Sequence, residues 1–204
     1  MTINRAFTRI KEGEIHYRYA GADTDEILYM IHSSPASSVI LLPLISQMSS
    51  SFKVIAPDTL GFGDSVVPTE EWPSAGDYAD SVIRVMDSLE IESCHFFGSH
   101  TGAHIASEVA IKHPDRVKKL VLDGIAMFSD EERKEYLEHY APEIKADEFG
   151  QHLVWAWNFV RDQFIYFPYF KKTSEHQRSE VSMPPPEFIN ELVLEVLKGL
   201  GTYH

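Results

Sequence analysis

The chain has 204 residues, 44 % of them apolar and 12 % aromatic, enough for one packed core and an inserted subdomain, and too much for wholesale disorder. Its formal net charge of −13 works against polyanionic partners, so nucleic acid and anionic membrane surfaces are excluded. A single cysteine, Cys94, rules out a disulfide framework and fits a reducing compartment.

The N-terminal stretch from Met1 to Glu14 is charged throughout and has no apolar run of signal-peptide type. The longest apolar run, Val39 to Ile45, contains Pro43 and is far too short to span a bilayer. A cytoplasmic protein is expected.

In chain order, Ile3 to Ile10 and Ile15 to Tyr19 alternate as strands and meet at Glu12-Gly13, which predicts a hairpin. Ile27 to Ile31 is a continuous apolar run, the pattern of a strand buried on both faces of a parallel sheet. The polar turn 32–38 follows, and then Val39 to Met48 reads as a helix despite its proline. Phe52 to Ala56 is a second buried strand, closed by the Gly-rich stretch 57–65. Tyr78, Val82, Val85, Met86 and Leu89 recur at helical spacing, with Ser74 and Asp77 placed as a capping pair. A strand is expected at 93–97, a helix from Ala103 that stops near His113-Pro114, and a last strand at Val117 to Leu122. Beyond Gly124, residues 129–148 read as charged and helical, with Glu131 to Lys134 on a solvated face. Residues 151–170 gather eight aromatic residues, and Phe188, Leu192, Val196 and Leu200 line a final helix after Pro184-Pro185-Pro186. Strands alternating with helices predict an α/β fold on a mainly parallel, doubly wound sheet over 1–128, with a helical cap region over 129–204. Ligands of such sheets sit beyond the carboxyl ends of the strands, where the loops 32–38, 57–65 and 98–102 converge.

The stretch Gly98-Ser99-His100-Thr101-Gly102 stands between a strand and a helix. That is the setting of a nucleophile elbow, G-x-Nu-x-G, in which glycines allow a sharp turn and a close strand–helix approach. The residue on the corner is an imidazole, His100, with Ser99 one position early.

Together the elbow, His32-Ser33-Ser34-Pro35 and the segment Pro57 to Ser65 resemble the α/β-hydrolase superfamily, in its capped branch of haloalkane dehalogenases, epoxide hydrolases and related esterases and carbon–carbon hydrolases. The run His113 to Leu122 is similar to the segment that follows the elbow helix there. The resemblance covers about residues 10–128 with the motifs in order. It implies an oxyanion hole from the backbone N–H groups of Ser34 and Thr101, and a loop braced by Asp58. It implies His100 at the nucleophile position, where the family places Ser, Asp or Cys. Asp123, at a strand end where some members keep their acid, becomes a candidate orienting carboxylate. The closing strands, with the family's base histidine, are expected to be absent, and terminal His204 is not read as that base.

The implied activity is hydrolysis of an ester, epoxide or carbon–halogen bond in a small apolar molecule, or descent from an enzyme with that activity. The alternative is a catalytically reduced or truncated member that binds a ligand or a partner. His100 is a nucleophile, a base for water, or a relic of lost chemistry. Candidate substrate-binding residues are His32, Trp155, Trp157 and Phe164, although His32 also suits a hydrogen bond within its own loop and the aromatics also suit cap core. His95 and His104 read as satisfied packed groups. His100 and His104 are four residues apart, but without H-E-x-x-H no metal is implied, and no cofactor is expected. An early end to the sheet would leave the strand at 117–122 with an open edge, so a homodimer through that edge is a further expectation.

Overall fold

The computed structural model describes residues 2–21, 24–69, 73–140 and 142–199. They divide into two compact units, Met1–Ala126 and Met127–His204.

In the first unit, β1 (Asn4–Ile10) and β2 (Gly13–Gly21) form the expected hairpin, antiparallel and in register from Asn4–Tyr19 to Ile10–Gly13. The remaining strands are β3 (Ile27–Ile31), β4 (Lys53–Pro57), β5 (Cys94–Ser99) and β6 (Val117–Asp123). Their order across the sheet is β1-β2-β4-β3-β5-β6. The β4, β3, β5 and β6 strands run parallel, so their C-terminal ends share one margin. Sequence order therefore reverses about β3, the arrangement that opens a crevice above a sheet.

Burial explains the apolar runs. Tyr29, Ile31, Ile55 and Phe96 turn to the face covered by α2 (Ala75–Ser88) and α3 (Thr101–Lys112). Their neighbours Leu28, Met30, Val54 and Ala56 turn to the face covered by α1 (Leu42–Met48). Because successive side chains point to opposite faces, a strand covered on both sides must be apolar at every position. Helix α2 begins at the expected cap: Ser74 Oγ accepts from Asp77 N at 3.2 Å, and Asp77 Oδ2 accepts from Ser74 N at 2.7 Å.

Two expectations need correction. The helix expected over Val39 to Met48 divides into a 3-10 turn, Ser38–Leu41, and α1. Pro43 thus falls in a first helical turn, where the missing N–H costs nothing. The helix expected over 129–148 is only α4 (Asp130–His139). It starts at a capping box of Ser129 and Glu132 and cannot continue through Pro142, whose ring and missing N–H break an α-helix.

In the second unit, α5 (Gln151–Gln163) packs on α6 (Pro186–Gly199) around Phe159, Val160, Ile189, Val193 and Val196. Leu200 and His204 lie outside the described residues.

Helix α3 meets the sheet backbone to backbone. A Cβ on Gly102 would collide with the carbonyl oxygen of Ile31, and one on Gly98 with the carbonyl of Gly102. Neither neighbour is a side chain that can swing away. Gly102→Ala is therefore expected to cost about 3 kcal/mol, the upper range for overpacking. A urea midpoint equal to that of the unchanged chain would show that α3 can slide off β3.

Candidate functional site

The margin where β3, β4, β5 and β6 end carries the loops read from the sequence. At the end of β5 the chain turns through His100, which has φ 50° and ψ −109°. A non-glycine residue in that region is strained, and such strain is typical of a side chain held out from a strand-to-helix corner. The turn is fixed from β6, since His100 N donates to the carbonyl oxygen of Asp123 at 2.8 Å. His100 is exposed, and Ser99 is half-buried.

The imidazole lies over Gly124, the residue that follows β6. A Cβ there would sit 2.7 Å from His100 Cε1 and 2.9 Å from Nδ1. Gly124 has φ +65°, which glycine adopts readily, and its bare Cα makes room for the ring. The Asp123 carboxylate is engaged elsewhere, because Ser99 Oγ donates to Asp123 Oδ2 at 3.1 Å. Asp123 thus orients Ser99 through its side chain and His100 through its backbone.

On the β3 side of β5, Ser34 N donates to Thr101 Oγ1 at 3.4 Å. The loops after β3 and β5 therefore touch at the residues singled out for their backbone N–H groups. Thr101 opens α3, and N–H groups of a first helical turn have no partner within the helix. The imidazole and the Ser34–Thr101 pair consequently flank the elbow on opposite sides.

His32 does not face this opening. It is fully buried, with Nδ1 2.9 Å from the carbonyl oxygen of Ser33 and Nε2 accepting from Thr59 N at 3.0 Å. An Nε2 that accepts leaves the proton on Nδ1, so the ring ties the β3 loop to the β4 loop as a donor and an acceptor. His95 lies towards the other end of the sheet, 2.6 Å from Glu26 Oε2. The Glu26 carboxyl is held below its usual range by that hydrogen bond, with a smaller contribution from Lys118.

Sequence reasoning assigned Asp58 to its loop and missed its partners. Asp58 is buried and accepts from Ser38 N at 2.8 Å, Ser38 Oγ at 2.6 Å, Asp64 N at 3.0 Å and His16 Nδ1 at 2.7 Å. Arg5 Nε in turn donates to His16 Nε2 at 2.9 Å, and the same guanidinium pairs with Asp64. Burial alone would raise the Asp58 pKa; the His16 hydrogen bond, with those from Ser38 and the Asp64 N–H, outweighs it and holds the carboxyl well below the usual carboxylate range. His16 and Arg5 are remote in sequence from the motif, and nothing in their local pattern signals the contact. His16, Asp58 and Asp64 offer ligand atoms within 4.8 Å of one another. The Arg5 guanidinium already bonds to two of them, so an added cation would have to displace it.

Cys94 is no second nucleophile, since burial pushes its thiol up to about 12.

The aromatic candidates belong to the second unit. Trp155 stacks on Phe159, with centroids 4.9 Å apart and planes at 17°. It lines a cleft of about 610 Å³, together with His139, Asp162, Phe170 and Lys172. Asp162 is buried there and paired with Lys172 at 2.6 Å. Trp157 and Phe164 instead pack against the unit's core.

Comparison with known proteins extends the picture. A family model described as the alpha/beta hydrolase fold matches residues 26–161. The chain is 39 % identical over 105 residues to the 2-hydroxymuconate semialdehyde hydrolase of Pseudomonas sp. (strain CF600), a match covering 48 % of this chain and 36 % of that protein. It is 32 % identical over 128 residues to a 2-hydroxy-6-oxononadienedioate/2-hydroxy-6-oxononatrienedioate hydrolase of Paraburkholderia xenovorans (strain LB400), covering 58 % of this chain and 43 % of the relative. The chain thus spans less than half the length of these curated relatives. Among solved structures, a mutant of the N-acyl homoserine lactonase AidH complexed with N-hexanoyl homoserine superposes with a TM-score of 0.72 at 22 % identity, over 98 % of this chain and 66 % of that one. At that identity the likeness concerns the fold alone.

The Asp58 network yields a pH prediction. A carboxyl whose folded pKa is depressed contributes stability that is fully present above its unfolded pKa, near 3.9, and is lost as the pH falls through the folded value. Asp58→Asn leaves His16 without its acceptor, so it is expected to cost about 3 kcal/mol at neutral pH. The loss should shrink steadily as the pH is lowered below about 4. Urea titrations of both proteins at several pH values check this, and a difference independent of pH would mean that the Asp58 charge contributes nothing.

Proposed function

The chain belongs to the alpha/beta hydrolase fold family, and from that premise we propose that it hydrolyses small carbonyl compounds, esters foremost, with His100 as general base for a water molecule. The observation that carries the reading is the split geometry of the elbow. The imidazole leans onto Gly124, while Ser34 and Thr101 meet on the other side of β5. A nucleophilic ring would have to reach over its own corner towards those N–H groups. A water beside the ring stands between them and needs no such reach.

In this reaction the water gives a proton to an imidazole nitrogen as its oxygen bonds to the carbonyl carbon. The carbonyl electron pair moves onto oxygen, where the N–H groups of Ser34 and Thr101 act as an oxyanion hole. The Ser34 N–H leaves its long contact with Thr101 Oγ1 to do so. Collapse of the intermediate expels the alcohol oxygen, which takes the proton back from the imidazolium. Asp123 positions the corner through its carbonyl. Displacement at a carbon–halogen bond builds no carbonyl oxyanion and gains nothing from these donors, so it ranks below ester cleavage. The names of the relatives add oxo-acid and semialdehyde substrates to those worth trying.

The test is turnover of short-chain nitrophenyl esters, lactones and oxo-dienoic acids by the chain, by His100→Ala and by Gly124→Ala. Loss of a positioned base is expected to lower turnover about 10²–10⁴-fold. Gly124→Ala should lower it too by displacing the ring, with the circular dichroism spectrum unchanged. Identical traces for the chain and His100→Ala would remove the catalytic reading and leave a ligand- or partner-binding member of the family.

A further inference from the structure

Thr101 carries a hydroxyl as well as its N–H, and that hydroxyl behaves unlike its neighbour in the same helix. Ser107 Oγ donates to the carbonyl oxygen of Ala103 at 2.9 Å, the ordinary habit of a helical hydroxyl, which turns back onto its own helix. Thr101 Oγ1 makes no such bond. It reaches out of α3 and accepts from Ser34 N at 3.4 Å, and among the described residues nothing takes its own hydrogen. Thr101 is exposed and Ser34 half-buried, so that hydrogen is open to a molecule that enters between the two loops.

We infer that the Thr101 hydroxyl is a third donor to the oxyanion, acting beside the backbone N–H groups of Ser34 and Thr101, and that between turnovers it holds the place of the substrate oxygen. The inference rests on the hydrolytic reading of the elbow and adds a side chain to it. Packing sets the position. Gly102 lies against the carbonyl oxygens of Ile31 and His32 with no room for a Cβ, and this close seat brings the first residue of α3 within reach of the loop after β3.

A hydroxyl has one hydrogen to give and two lone pairs that receive. At rest Thr101 uses a lone pair, which satisfies the Ser34 N–H. A separation of 3.4 Å is long for such a bond, since N–H···O contacts centre near about 2.9 Å. A charged oxygen therefore displaces it at little cost. Two donors 3.4 Å apart can both reach one oxygen at about 2.9 Å. The hydroxyl then stops accepting from Ser34 and gives its hydrogen bond to the oxygen that Ser34 N–H now holds. A neutral carbonyl accepts weakly and an oxyanion strongly, so the added donor acts chiefly on the transition state. No proton changes hands at Thr101, because that transfer belongs to His100.

Steady-state kinetics of the chain, Thr101→Val and Thr101→Ser on a short-chain nitrophenyl ester test this. Valine matches threonine in shape and keeps the N–H, so only the hydroxyl is lost. Thr101→Val is expected to lower kcat about 10²-fold with KM nearly unchanged, and Thr101→Ser should recover most of that loss. Calorimetric binding of butylphosphonate, an inert tetrahedral anion, reads the same donor without turnover. Thr101→Val should weaken it about tenfold, and Thr101→Ser should restore it. If the chain cleaves no ester, or His100→Ala cleaves it as fast, while the phosphonate still loses affinity in Thr101→Val, the hydrolytic reading falls and the donor stands. Ester turnover by Thr101→Val equal to or above that of the chain overturns the inference and leaves the hydroxyl a placeholder that competes with substrate. Phosphonate affinity unchanged in Thr101→Val overturns it too. A chain that neither cleaves ester nor binds phosphonate overturns it together with the reading beneath it.

Discussion

The first unit depends on one close approach. Where α3 begins, its backbone lies against the carbonyl oxygens of Ile31 and His32 at the end of β3, with no room for a Cβ on residue 102. That contact fixes the angle at which the chain leaves β5, and the residue between strand and helix has to take the strained conformation seen at His100. A side chain held this way cannot fold back into the core. Its exposure follows from packing two residues away, whichever side chain stands on the corner.

The loops around the corner are secured by charge and hydrogen bonding. Asp58 gathers the N–H and hydroxyl of Ser38, the N–H of Asp64 and the ring of His16 into one buried carboxylate. A buried anion is tolerable only when its lone pairs are taken up, and here the donors come from three separate stretches of chain. His32 does related work from the neighbouring strand end, reaching Thr59 through one ring nitrogen and the Ser33 carbonyl through the other. The loops that carry the Ser34 N–H and the start of α3 are therefore tied to one another by hydrogen bonds.

Asp123 links the elbow to the sheet edge. Its carbonyl fixes His100 and its carboxylate takes the Ser99 hydroxyl, while its backbone closes the regular stretch of β6.

Much of this was legible in the sequence. Apolar runs such as Ile27 to Ile31 stand out because a strand covered on both faces has no polar position. The elbow was readable because Gly98 and Gly102 are demanded by steric contact, and the cap at Ser74 because its bonds span only three residues. Pro142 marked the limit of α4, though charge composition pointed past it. What the sequence could not supply was everything that joins distant segments. Arg5 and His16 on the hairpin, Asp58 and Asp64 after β4, and the seat of the His100 ring on Gly124 depend on tertiary packing. Local pattern records which backbone conformations a stretch allows and which face it must bury. Only the folded chain decides which side chains from separate strands arrive within hydrogen-bonding distance of each other.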